Sequence, residues 1–222
     1  MSNVNINLNE GIGIRESISA RSESGYLIIK NKQICSDILK ISSPNEENLI
    51  DFLVSIHLVM EISLNTFFRT ISLNEMQKRV STRDVIKNLD GISFIDKAIL
   101  FIYNSHFDFN GNLHDADKYH SVIGQLRNFS GPRNKLLHGH SISTIFGQNG
   151  ENSHSETRGI ITLDKMEEQV DLYRKIMEGL RFYFDCLKSS YTPSGKESIK
   201  RSYLDDSFLN KNETTIESGP LN

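Results

Sequence analysis

Residues 46–72 read EENLIDFLVSIHLVMEISLNTFFRTIS, and the spacing of their apolar side chains is the pattern from which the fold follows. Leu49, Phe52, Leu53, Ile56, Val59, Met60, Leu64, Phe67, Phe68 and Ile71 recur at intervals of mostly three and four and cover most of a helical circumference. A helix that is apolar nearly all round has neighbours on every side, so this one belongs at the centre of a bundle. One polar line interrupts that surface. His57, Glu61, Asn65 and Arg69 are each four residues from the next and stack along one slowly turning face. The segment SSPNEEN before it reads as a helix start, with Ser42 or Ser43 as cap, Pro44 in the first turn, and Glu46 and Glu47 at the positive end of the dipole.

The flanking sequence supplies the neighbours. Residues 94–104 are a second apolar helix, with Phe94, Ile95, Ala98, Ile99, Ile102 and Tyr103, opened by Ser93 and Asp96 as a capping pair. Residues 115–129 form a third, with Tyr119, Val122, Ile123 and Leu126 inward. SGP interrupts it, and Pro132 restarts a short helix, PRNKLLH, that Gly139 stops. Asp164, with Glu167 three residues on, caps a long helix over 165–189. Its apolar positions 166, 170, 173, 177, 180, 184 and 187 make a heptad seam, serving as intramolecular core or as a zipper for a partner. Residues 26–40 are a short strand or a helix, and 74–89 a helix or an irregular connection. SISTIF and RGIITL, between 141 and 163, are β-prone runs around a polar segment, which suggests a small hairpin with a long tip. The expected architecture is all-α, a bundle of four to five helices with a small β-hairpin insertion near 141–163. Residues 1–24 are expected to be a polar N-terminal arm, 25–189 the helical domain and 190–222 a flexible polar tail, in which SYLDDSFL carries enough apolar residues to dock.

Composition sets the limits. A chain of 222 residues is long enough for one medium domain with a real core. Hydrophobic residues at 37% and charged residues at 24% fit a soluble globular protein. A net charge of -3 excludes a globally basic nucleic-acid coat and leaves room for a local basic site. Cys35 and Cys186 are too few for a disulfide scaffold or a four-thiolate zinc site. No apolar stretch of about 18 residues lacks charge, so no membrane span is expected. The N-terminus has no basic-then-apolar signal pattern, and the expected location is reducing and cytoplasmic.

The chemistry concentrates in GPRNKLLHGH, residues 131–140. Asn134 and His138 are four apart and share a helix face, and the long Arg133 side chain can swing towards the same cleft. Free N–H groups at a helix start beginning with Pro132 would also favour a phosphate. Arg133-Asn134-x3-His138 after two or three apolar helices resembles the R-x4–6-H motif of the HEPN superfamily, with the polar residue that follows the Arg present as Asn134. The resemblance covers roughly residues 46–189, and His140 stands where one subgroup carries Tyr. It implies a metal-independent endoribonuclease of a toxin–antitoxin, abortive-infection or other antiphage defence system, with two motifs facing each other across a homodimer cleft. The implied partners are RNA, a second copy and an antitoxin or other defence protein.

The side chains suit that chemistry. RNA cleavage without metal needs a base for the 2′-OH and an acid for the 5′-oxygen; histidine is a residue type suited to either role, and His138 is the candidate. Arg133 is suited to the negative charge of the transition state. Lys135, His140 and Arg127 are supporting RNA-binding candidates. His57, Glu61 and Asn65 either orient His138, position RNA, or simply satisfy one another inside the bundle. The plainer reading of the motif is a helix cap, with Arg133 pairing a surface carboxylate. The rival functions are a catalytically silent HEPN-like module that binds RNA, a nucleotide or a protein, and a helical regulatory scaffold.

No metal or cofactor is expected. His106, His114 and His120 with Asp108, Asp115 and Asp117 lack calcium-loop spacing, and His138 with His140 lacks a third ligand. No G-x-S-x-G elbow occurs, and GIGIRE lacks the strand–turn–helix context of a dinucleotide loop.

Overall fold

The Asn45–Asn48 pair starts the central helix. The Asn48 N–H donates to Asn45 Oδ1 at 2.8 Å, and the Asn45 N–H donates to Asn48 Oδ1 at 3.1 Å. This reciprocal box satisfies two N–H groups at the helix start. It takes the place of the cap expected at Ser42 or Ser43, and Pro44 lies outside the helix. The computed structural model describes residues 11–76, 91–107, 116–137, 161–187 and 191–210. Among them are α1 (Gly11–Leu39), α2 (Glu46–Met76), α3 (Phe94–Phe107), α4 (Ala116–Leu137), α5 (Leu163–Cys186) and α6 (Pro193–Tyr203), followed by a 3-10 turn at Ser207–Leu209. The fold is an all-helical bundle.

Helix α2 packs against all five other helices, as its all-round apolar surface requires. Phe52, Ile56, Val59, Met60, Leu64 and Phe67 are wholly buried. Each such side chain stabilises the fold by about 1.5–3 kcal/mol through burial. Glu46–Ile71 is long and apolar enough, by length and composition, to cross a membrane, its most apolar 18-residue window having a mean hydropathy of 1.4, yet 56% of that window is buried inside the bundle.

Parts of the expected arm and tail are helical, while residues 1–10 and 211–222 lie outside the described residues. Helix α1 begins at Gly11, so the polar arm does not run to residue 24, and the ambiguous 26–40 segment is helical. Asn31, Cys35, Ile38 and Leu39 recur at helical spacing and are buried, which fixes the choice in favour of helix. Within the expected flexible tail of 190–222, residues 191–210 are a second correction. Thr192 caps α6, accepting from the Gly195 N–H at 3.2 Å, and Leu204 and Leu209 are buried. Lys32 pairs with Asp205 at 2.7 Å and Arg181 with Asp206 at 3.1 Å, so SYLDDSFL docks between α1 and α5. Lys196 Nζ donates to the carbonyls of Phe184, Asp185 and Leu187, which α5 leaves open at its end.

The heptad seam of α5 is buried along its whole length, from Met166 to Leu187, as intramolecular core. Its cap is Thr162, which accepts from the Lys165 N–H at 3.2 Å, rather than Asp164. Most of the expected 141–163 hairpin lies outside the described residues. At its end Ile161 and Thr162 form a bend and Leu163 begins α5, and no strand occurs among the described residues, so the hairpin is not borne out. Residues 77–90 and 108–115, including most of the ambiguous 74–89 connection, also lie outside them.

Helix α4 differs from expectation in the way that matters most for the site. It runs unbroken from Ala116 to Leu137 with Pro132 inside. A proline in a helix interior costs about 3 kcal/mol, since it removes one hydrogen bond and crowds the preceding turn. Here Leu126, Phe129, Ser130 and Pro132 are all buried, and their packing holds the helical path through the ring.

Candidate functional site

The polar line of α2 opens into a cleft. His57 is 5% exposed, and its ring rests against Phe129 of α4, with centroids 4.3 Å apart and planes inclined at 38°. Glu61 and Asn65 continue along the same face. From α3, Lys97 reaches in and its Nζ donates to Asn65 Oδ1 at 2.6 Å. From α4, Ser130 and Asn134 close the opposite side. Ile92, Ser93, Phe94 and Ile95, where the chain enters α3, form the remaining wall. The cleft is half open to solvent and has a volume of about 310 Å³.

Local sequence explains how each wall is set. Ser93 Oγ accepts from the Asp96 N–H at 3.2 Å and donates to Asp96 Oδ2 at 2.7 Å, the capping pair expected from the sequence. That cap fixes the start of α3 one turn before Lys97. Ser130 Oγ donates to the Leu126 carbonyl at 2.9 Å, so it lies tight against its own helix. The cleft therefore holds one carboxylate, one ammonium and one imidazole, backed by amides and hydroxyls, against an apolar wall. Such a surface suits a polar ligand with an apolar part.

Four expected residues meet here: His57, Glu61 and Asn65 of the proposed supporting layer, and Asn134 of the motif. Arg69 is exposed and is not part of the lining, and neither is the exposed Arg127. Arg133 and Lys135 lie on α4 by their backbone, next to Asn134. His138 and His140 lie outside the described residues. The expected helix start at Pro132 is corrected. Because α4 is continuous, Arg133 and Asn134 occupy its last turns, and their N–H groups belong to the helix rather than to a free N-terminus. Phosphate binding by exposed N–H groups at that point is thus withdrawn.

Sequence reasoning passed over Lys97 and Ser130. Each had a signal. Lys97 shares the inward face of α3 with Phe94 and Phe101 at spacings of three and four, and Ser130 lies four residues before Asn134.

No group of three or more His, Cys, Asp or Glu side chains able to hold a metal occurs among the described residues. Cys35 and Cys186 are free thiols outside the cleft, and burial pushes both upwards in pKa. No protein-family model, no curated protein and no solved structure matches the chain.

Proposed function

We propose that this chain is a metal-independent endoribonuclease of a prokaryotic antiphage or toxin–antitoxin system, acting in the cytoplasm as a homodimer. One observation carries the reading: Asn134 of the Arg-Asn-x3-His motif opens on the same cleft as the polar line of α2, the buried His57 and the half-buried Glu61 and Asn65. A purely structural helix end gives no reason for the motif to share a cavity with that line.

The reaction divides among these side chains. One His138 imidazole takes the proton of the 2′-OH, whose oxygen attacks the adjacent phosphorus. A second, from the other copy across the dimer two-fold, gives a proton to the departing 5′-oxygen. The P–O5′ bond breaks as the new P–O2′ bond forms, leaving a 2′,3′-cyclic phosphate and a 5′-OH. Arg133 stabilises the charge gathered on the non-bridging oxygens. Asn134 hydrogen-bonds the phosphate or orients the imidazole, while His57, Glu61 and Asn65 form the floor behind it. Lys135 and His140 are the further RNA-binding residues of this reading.

The test is incubation of wild-type and His138→Ala protein with total cellular RNA in EDTA, followed by mapping of new ends. Cleavage by wild type alone, leaving cyclic-phosphate and 5′-OH ends, is the expected result. RNA binding without cleavage would replace this reading with that of a silent binding module. Equal cleavage by both proteins would remove His138 from the mechanism.

A further inference from the structure

Gln169 stands apart among the buried polar side chains. It lies on the core face of α5, wholly buried, and neither its Oε1 nor its Nε2 has a hydrogen-bond partner. Asn31, Ser105 and Ser130 are also buried, but each donates to a carbonyl one turn back in its own helix. A buried amide with both ends unmade is costly, and an apolar side chain of the same shape would be more stable in its place. Such a group is kept where it has another task.

The register of α4 on α5 places this amide beneath the motif. A Cβ at Gly179 would meet Val122, and the Tyr173 ring meets the Phe129 ring with centroids 6.2 Å apart. The two helices are therefore antiparallel, and one turn beyond Phe129 and Tyr173 position 133 comes opposite position 169. On α4, position 133 follows the buried Val122, Leu126 and Phe129 at helical spacing, on the same face. Asn134 is about 100° further round, on the side of the cleft. A guanidinium carries five donors in a fixed fork and no acceptor, so an amide oxygen can hold one edge while another grips a phosphate.

We infer that Gln169 is a positioning residue for Arg133: in the complex with RNA its Oε1 accepts from the guanidinium and fixes the fork against a non-bridging oxygen. The inference rests on the ribonuclease reading and adds to it a residue from a different helix that does not itself touch RNA.

The experiment compares wild type with Gln169→Met and Gln169→Glu, by urea unfolding and by cleavage kinetics on an RNA oligonucleotide that spans a mapped cleavage site. Gln169→Met keeps the length of the side chain and removes the amide. Its folding equilibrium constant should rise about tenfold, since an unmade amide is lost from the core. Its kcat should fall about tenfold with KM nearly unchanged, because a misaligned arginine weakens the transition state more than it weakens binding. Gln169→Glu keeps acceptor oxygens and should keep kcat. Greater stability with unchanged kcat in Gln169→Met overturns the inference while the ribonuclease reading stands. A loss of stability in Gln169→Met, and in Gln169→Leu as a second apolar variant, would mean that the amide serves the fold, and overturns it as well. Absence of any cleavage by wild type overturns both together.

Discussion

Gly179 offers a test of the helix packing that sets the site. A Cβ built on Gly179 of α5 would overlap Val122 Cγ2 of α4. Glycine in a helix interior is worth about 1 kcal/mol less than alanine, so Gly179→Ala would stabilise an exposed position. Here the added methyl must displace a β-branched side chain that has one strongly favoured rotamer in a helix. Overpacking of that kind costs about 1–3 kcal/mol. The net effect of Gly179→Ala is therefore a loss of up to about 2 kcal/mol. Val122→Ala alone removes buried volume and costs about 1–3 kcal/mol. In the double variant the clash disappears, so the two changes should cost about 1–3 kcal/mol less than their sum. Urea unfolding followed by circular dichroism measures all four proteins. A stabilising Gly179→Ala, with no coupling to Val122→Ala, would refute the close approach of α4 and α5 and with it the placement of Asn134.

Other consequences are as direct. Thr162→Ala removes the side-chain cap of α5 and should cost about 1 kcal/mol in urea unfolding, whereas Asp164→Asn leaves that cap in place and should cost less. Phe129→Leu removes the ring that rests on His57 and should cost about 1–2 kcal/mol; if RNA cleavage were untouched by it, His57 would have no part in ordering the cleft. Burial opposes ionisation of Asp205, but bonds from Lys32 and Ser207 outweigh it and hold the carboxyl below its ordinary range. A lowered folded-state pKa stabilises the fold above the unfolded value of about 4 and loses that contribution as pH falls through the folded value. Thermal unfolding should therefore show wild type losing more stability than Asp205→Asn on acidification through that range, and equal losses would count against the strap formed by residues 204–209.

The central parts of the fold were legible because they depend on periodicity. The apolar circumference of α2 and the seam of α5 can be satisfied only by neighbours, and both are buried as their spacing demands. The Ser93–Asp96 cap was equally plain, being a local exchange between two side chains and one N–H. Pro132 misled because its local preference is to start a helix, while the packing of Leu126, Phe129 and Ser130 on either side of α2 and α5 carries the helix through it. Residues 193–209 misled for the converse reason. Their sequence is polar, and their order comes from distant partners: Lys32 for Asp205, Arg181 for Asp206 and the end of α5 for Lys196. At the site, the four-residue rhythm of His57, Glu61 and Asn65 marked one wall, and the motif marked Asn134. The third wall could not be read from either, since Lys97 meets Asn65 only through the packing of α3 on α2.

The most direct test of the account is where RNA lies on the protein. Ultraviolet cross-linking of a 2′-O-methyl RNA to the wild-type chain, followed by peptide mass spectrometry, reads this without any substitution. Adducts on the peptides that carry Phe94 and Asn134 are the predicted result, since both line the cleft. Adducts confined to surfaces away from it, such as the exposed Tyr26 and Ile29 of α1, would contradict the assignment of the cleft as the RNA site.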